Sequence, residues 1–296
     1  MKVTVITPFY EGDEYIDAYV QCMMANADSL ARLGHELQVI LVNDSPWRDL
    51  RVNEAGAGRD IFQVLVNEAN SGIHYSRVAG LKAAEGDYIM FLDQDDVIAE
   101  DGLARLLRAA AKSGADVTVA NAYLEQADGS RPLWYRTDYH KGCIGDLQTY
   151  IRIGIQIISP GQCLIKRGAI PDFWCQHILK QNGADDYFLW LIMLSDGARF
   201  DYLDEAIYTH KYTAKNLSAD TTVTDDSAYE FMEYLGDYPG FTQEDLHTLH
   251  SMITYKNQFR ASGLIGKAGA SLANLGLFID NIRFKKKTNT GYGFNR

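Results

Sequence analysis

Apolar positions along this chain follow two rhythms. Continuous β-branched runs alternate with stretches whose apolar residues recur every three or four positions. The first run, "KVTVITPFY", closes around a proline and predicts a buried strand. "DEYIDAYVQCMMANADSLARLG" follows at helical spacing, with Gly34 as its stop. "LQVILVND" and the shorter "FQVLVNEANSG" predict two more strands. "IHYSRVAGLKAAEG" predicts a helix with Asn70 or Ser71 near its start and Gly86 past its end. "DYIMFLDQDD" is again a strand, "EDGLARLLRAAAKSG" an amphipathic helix and "ADVTVANAYLE" a further strand.

This order predicts an α/β fold: a doubly wound, mostly parallel sheet with helices on both faces. In such sheets ligands lie outside the carboxyl ends of the strands. Polar residues gather at those ends. Tyr10 and Glu11 follow the first strand, Asp44 the second, Asn70 to Gly72 the third and Asp93 to Asp96 the fourth. The stretch 121–184 is less regular, with a turn at "QADGSRP" and a short strand-like piece in "SPGQCLIKRGAI". "DDYFLWLIMLSDG" is a helix whose first turn holds Asp185 and Asp186, where carboxylates suit the helix dipole. From about residue 225 the pattern is helical to a basic end, and the tail "KKKTNTGYGFNR" is expected to fray. The expected division is a domain over 1–215 and a C-terminal helical appendage over 216–296.

Composition narrows the partners. The 296 residues are 47% hydrophobic, enough for a full core. A formal net charge of -11 counts against nucleic-acid binding, which calls for a basic stripe. It leaves room for a nucleotide held through a metal ion. The cysteines, Cys22, Cys143, Cys163 and Cys175, form no C-x-x-C pair and read as reduced thiols. The N-terminus turns polar too soon for a signal peptide, and no run reaches the roughly 18 apolar residues of a membrane span. The expectation is a soluble, cytoplasmic protein, or one peripheral at the inner face of a membrane.

The carboxylates carry the candidate chemistry. Asp93, Asp95 and Asp96 crowd the mouth of an apolar strand, where they repel one another. Two acids spaced D-x-D on a turn offer oxygen ligands that suit Mg²⁺ or Mn²⁺. Shared with a diphosphate, such a cation removes the repulsion and stabilises a departing nucleoside diphosphate by roughly several kcal/mol. The bland alternative is a solvated acidic turn. Asp44 could accept from a uracil-type N–H while Tyr10 stacks on the ring. Taken alone, "NDSP" is better read as an ordinary strand-end turn. Arg77 could meet a phosphate; taken alone it reads as a surface ion pair.

Taken together, the motifs carry a resemblance. "VITPFYEGDEYI", "VILVNDS", "NEANSGIHYSRVAGLKAAEGDYIMFLDQDD" and "ADDYFLWL", in that order over about residues 2–212, resemble the family 2 glycosyltransferases of the GT-A fold. The resemblance implies a Rossmann-like GT-A domain and an inverting transfer that depends on a nucleotide sugar and a divalent metal. It implies a donor site built from Pro8, Tyr10, Glu11, Asp44, Asn70, Gly72, Arg77, Asp93 and Gln94. In that site Asp44 sits on the base with Tyr10 beside it, and Asp93 faces the ribose or the metal. Asp95 is then the main metal ligand. Asp186 is the general base, with Asp185 its adjacent competitor. A carboxylate within hydrogen-bond reach of the acceptor hydroxyl takes its proton as the new bond forms.

The chain departs from the family pattern in places. Asn43 replaces the first acid of the usual V-D-D turn, and Gln94 replaces a small residue between two aspartates, so its side chain must find room near the donor sugar. "HKYTAKNLS" has Thr213 where the family has histidine, which leaves His210 as the candidate third metal ligand. The expected donor is a UDP-sugar. The expected acceptor is a saccharide or lipid-linked saccharide, in the synthesis of a surface polysaccharide or related glycan. For the C-terminal helices, packing or homodimerisation is the preferred reading over membrane docking through Lys285, Lys286 and Lys287. Two alternatives stand beside the transferase. A nucleotidyltransferase would carry a Gly-rich, Arg/Lys-bearing loop after the first strand, which "TPFYEGDEY" lacks. A non-catalytic sugar-nucleotide-binding protein would have lost an acid, whereas Asp95, Asp96, Asp185 and Asp186 are all present.

Overall fold

The computed structural model describes residues 1–52, 60–126, 128–211 and 221–290, with the backbone alone at 221 and 222. The chain divides into two units. The first takes Met1–Trp134, Ile157–Lys180 and Ala198–Thr213; the second takes Tyr135–Gln156, Gln181–Gly197 and Ala214–Arg296. The expected boundary at 215/216 lies outside the described residues.

The first unit holds an eight-stranded sheet. Its strands are β1 (Lys2–Phe9), β2 (Glu36–Asn43), β3 (Phe62–Val66), β4 (Tyr88–Phe91), β5 (Val97–Ile98), β6 (Val117–Glu125), β7 (Cys163–Lys166) and β8 (Phe200–Lys211). They lie in the order β3-β2-β1-β4-β7-β6-β8-β5. The runs read as buried strands are buried: Val3, Val5, Ile6, Val39 to Val42 and Ile89 to Phe91 are fully enclosed. β3 sits at the edge of the sheet, so Val66 stays 60% exposed. β1 pairs in parallel with β2 and β4, and β2 with β3. Parallel pairing sets Phe9 opposite Asn43 and Asn43 opposite Val66, so the loops after β1, β2 and β3 leave from one end of the sheet. β7 runs antiparallel to both β4 and β6, and β5 antiparallel to β8. The sheet is thus parallel in one half and mixed in the other.

Helices α1 (Ile16–Ala31), α2 (Ile73–Ala83) and α3 (Gly102–Ser113) follow the predicted spans. α2 approaches β1 closely at Gly80, where an added Cβ would lie 2.4 Å from Ile6 Cγ2. In the expected turn at "QADGSRP" the Gln126 N–H donates to the Ser130 carbonyl; residue 127 lies outside the described residues. Between β6 and β7 come two short helices of the second unit, α4 (Asp138–Gly142) and α5 (Leu147–Ile153), which the sequence pattern did not signal. α6 (Asp172–Gln176) belongs to the first unit.

The rest of the second unit is α7 (Asp185–Ser195), α8 (Thr221–Leu235), α9 (Gln243–Ala261), α10 (Leu264–Ala273) and α11 (Leu275–Thr288). α7 is apolar all round and buried from Tyr187 to Leu194. The Thr242 side chain and Asp245 cap α9 reciprocally. α11 continues to Thr288, so Lys285 to Thr288 are helical, not frayed; residues 291–296 lie outside the described residues.

Candidate active site

The loop after β1 is held in an uncommon shape. Glu11 adopts φ +48°, a left-handed conformation that costs an L-residue energy and persists only when neighbours enforce it. Here the Glu11 N–H donates to Ser45 Oγ at 2.9 Å. Pro8 is half-buried, while Tyr10 is 46% exposed. Trp47, 59% exposed, meets Tyr10 edge to face at 6.2 Å. The pair is an open aromatic corner of the kind on which a planar base stacks. Sequence reasoning passed over Trp47, although its place just after the "NDSP" turn put it beside the β2 loop.

Asp44 organises the next loop. It is buried, and both of its oxygens are engaged. Oδ1 accepts from Asn67 Nδ2 at 2.7 Å and from the Ser71 N–H at 2.8 Å; Oδ2 accepts from the Gly72 N–H at 2.9 Å. Asp44 therefore ties the loop that leads into α2 to the end of β2, and Ser71 turns its own hydroxyl to Ala69. Gly72 opens α2 at φ +87°, a conformation that glycine adopts without penalty. A carboxylate has about four acceptor sites, so Asp44 retains one for a ligand. Asn70 is exposed at this edge, whereas buried Asn67 carries the network by also donating to Ser76. The sequence offered no reason to prefer Asn67 over Asn70.

The acidic turn follows β4. Arg77 corrects the expectation of a surface ion pair: it is buried, and its Nη2 donates to Asp93 Oδ1 at 2.7 Å. Ser159 Oγ lies 3.3 Å from the other Asp93 oxygen. Burial pushes the Asp93 carboxyl up against the pull of Arg77, and Asp96 pushes the same way. Asp96 accepts from the Tyr208 hydroxyl and from the Lys211 N–H at 3.0 Å, with His210 Nδ1 at 3.2 Å. Burial, then Asp96, drives the Tyr208 hydroxyl well up, so it stays a donor.

Asp95 differs. Among the described residues its carboxylate forms no side-chain hydrogen bond or ion pair, and the pull of His210 on it is outweighed. Burial, then repulsion from Asp96 and Asp93, raises it to about 6. Gln94 does not reach outward: its Nε2 donates to the Tyr10 carbonyl at 3.1 Å, and its Oε1 accepts from the Tyr10 N–H at 3.0 Å.

Among the described residues no three His, Cys, Asp or Glu side chains are grouped to hold a metal by themselves. Asp93, Asp95 and His210 are therefore not a ready-made three-ligand site, and His210 Nδ1 faces Asp96. Thr213, at the family's histidine position, lies outside the described residues. Mg²⁺ sites, however, often use one or two carboxylates and complete their shell with water and substrate phosphates. Asp95, acidic, half-buried and repelled by both neighbours, fits that role; Asp93 offers a second oxygen donor.

Asp185 and Asp186 lie in the second unit, in the first turn of α7. Asp185 is 2% exposed; Asp186 is half-buried, and its Oδ1 accepts from the Tyr187 N–H at 2.7 Å.

The chain resembles known proteins in sequence and in fold. The succinoglycan biosynthesis protein ExoO of Rhizobium meliloti is 30% identical over 127 residues, 43% of this chain and 35% of its own length. The chain spans about a third of the first curated relatives it matches, 35% and 33% of their lengths. The fold is that of S. aureus TarS in complex with UDP-GlcNAc, with a TM-score of 0.62 at 19% identity, covering 95% of this chain and 79% of that one. It is also that of the mannosyltransferase PcManGT from Pyrobaculum calidifontis in complex with GDP-Man and Mn²⁺, with a TM-score of 0.56 at 16% identity, covering 97% and 84%. Among the described residues no helix is long and apolar enough to cross a membrane. The model of glycosyl transferase family 2 matches residues 4–174, more than half of the chain and including the acidic turn, and this chain belongs to that family.

Proposed function

We propose that this glycosyltransferase moves a sugar, with inversion, from a UDP-sugar to an acceptor hydroxyl in the synthesis of a cell-surface polysaccharide, with Mg²⁺ or Mn²⁺. The observation that carries the reading is Asp95: a carboxylate raised to about 6 by burial and two neighbouring acids, beside an Asp93 already neutralised by buried Arg77. An acid left in that state calls for a cation. The complex of PcManGT with GDP-Man and Mn²⁺ and the succinoglycan biosynthesis in the name of ExoO support the same reading.

Tyr10 and Trp47 supply the stacking surface for the base, and Asp44 its remaining acceptor site. Arg77 fixes Asp93, and Tyr208 fixes Asp96, so the turn presents Asp95 in one orientation. Asp95 and Asp93 would hold the metal. When bound, the cation supplies charge stabilisation for the departing diphosphate. We assign the general base to Asp186, on its place in "ADDYFLWL" and its lower burial than Asp185. Its carboxylate takes the proton of the acceptor hydroxyl as that oxygen attacks the anomeric carbon.

The test is thermal stabilisation by UDP with and without Mn²⁺. At a ligand concentration about a hundredfold above Kd the expected gain is about 2.7 kcal/mol, seen only when both are present. Asp95→Ala removes that metal-dependent gain. Asp186→Asn keeps donor binding and lowers turnover by about 10²–10⁴-fold. No shift with any nucleoside diphosphate, or normal turnover in Asp186→Asn, overturns the respective assignment.

A further inference from the structure

The last two helices expose an apolar face where a solvated helix is normally polar. On α11 the buried positions are Leu277, Asn281, Phe284 and Thr288. At about 3.6 residues per turn the opposite side carries Leu275, Ile279 and Ile282, all exposed, and that row continues into Lys286. On α10, Ala270 and Ser271 face inward, with Ser271 Oγ 3.2 Å from the Tyr255 hydroxyl. The opposite side carries Ile265 and Leu272, 92% and 75% exposed, and Leu264 in the first turn is 89% exposed. Scattered exposed leucines need no explanation, but six exposed large aliphatics on two consecutive helices are more than a soluble surface usually carries.

Charge distinguishes these helices from the rest of the molecule. The chain as a whole carries a net charge of -11, yet residues 262–290 hold five Lys or Arg and one Asp. That acid, Asp280, is paired with Arg152. Lys267 lies over the Phe259 ring and Lys287 over that of Tyr139, leaving Arg283, Lys285 and Lys286 exposed around the end of the aliphatic row.

We infer that α10 and α11 form a docking surface for an anionic lipid bilayer. The helices lie on the membrane and do not cross it. Aliphatic side chains enter the acyl boundary, and the basic groups at the end of α11 remain at the headgroup level, where long stems let them reach anionic phosphates. A second copy of the chain is the weaker occupant, because pairing this face with itself brings like charges together. The inference stands independently of the donor and metal assigned above.

The full chain is tested by flotation with phosphatidylcholine vesicles and with vesicles that also contain phosphatidylglycerol. It floats with the anionic vesicles, at least about tenfold more tightly than with the neutral ones, and high salt weakens the binding. Ile265→Asp combined with Leu272→Asp, both at exposed positions, leaves the melting temperature unchanged and lowers vesicle binding by at least about tenfold. Lys285→Glu combined with Lys286→Glu does the same for anionic vesicles alone. Failure of the unmodified chain to bind anionic vesicles overturns the inference, as does equal binding by either double variant. Sedimentation equilibrium adds a further check. A dimer that Ile265→Asp and Leu272→Asp dissolve, without vesicle binding, assigns the face to a second copy and also overturns it.

Discussion

At the residue scale the site is decided by which carboxylates are already neutralised. Asp93 has Arg77 and Ser159, Asp96 has Tyr208, His210 and the Lys211 N–H, and Asp95 has no such hydrogen bond or ion pair. A carboxyl raised from 3.8 to about 6 on folding favours its protonated form in the fold. The penalty is absent below about pH 4, grows as pH rises and is complete above about pH 6. In the metal-free chain Asp95→Asn therefore stabilises by about 1–2 kcal/mol at neutral pH, discounted for solvent screening, and has little effect below about pH 4. Urea titrations at the two pH values in the presence of a chelator check this. Arg77→Met leaves Asp93 without its buried cation and costs about 3 kcal/mol, measured by the same titration. Adding Asp93→Asn recovers part of that loss. The acids themselves were legible in "FLDQDD", but their partners were not. Arg77, Ser159 and Tyr208 arrive from other elements, and no local pattern states that an arginine in "SRVAG" will be enclosed.

At the element scale, long apolar runs were legible because burial on both faces leaves no alternation to confuse them; β1, β2 and β4 are of this kind. β8 was not anticipated. Its first half, "FDYLDEA", carries acids and is partly exposed, and only pairing with β6 makes it a strand. α4 and α5 are too short to show helical periodicity; their caps, Thr137 and Asp146, mark them instead. The α2–β1 contact yields a prediction in which two effects oppose. Gly80→Ala gains about 1 kcal/mol of helix propensity, but its Cβ meets the enclosed Ile6. The clash wins, and the variant loses about 1–2 kcal/mol net. A denaturation midpoint above that of the unmodified chain contradicts this.

At the scale of the whole molecule, three of the four short motifs fall inside the residues 4–174 that the family model matches, and the fourth, "ADDYFLWL", lies beyond them. The second unit was less legible, since it gathers three separated segments, 135–156, 181–197 and 214–296. Nothing in "DDYFLWLIMLS" states that it will be enclosed by helices more than thirty residues away; Phe188 stacks on Phe231 at 5.8 Å. The sign of the charge is also unevenly spread, with a cationic end on an acidic chain. The proposed binding to anionic vesicles is therefore expected to weaken with ionic strength even though the net charge is negative.

The Gln94 amide joins two loops 84 residues apart through one rigid plane. Because the Tyr10 N–H is held there and not by a strand neighbour, its exchange with deuterium reports on the acidic turn. Gln94→Ala releases that proton to solvent, and amide exchange at Tyr10 accelerates while the interior of β1 keeps its protection.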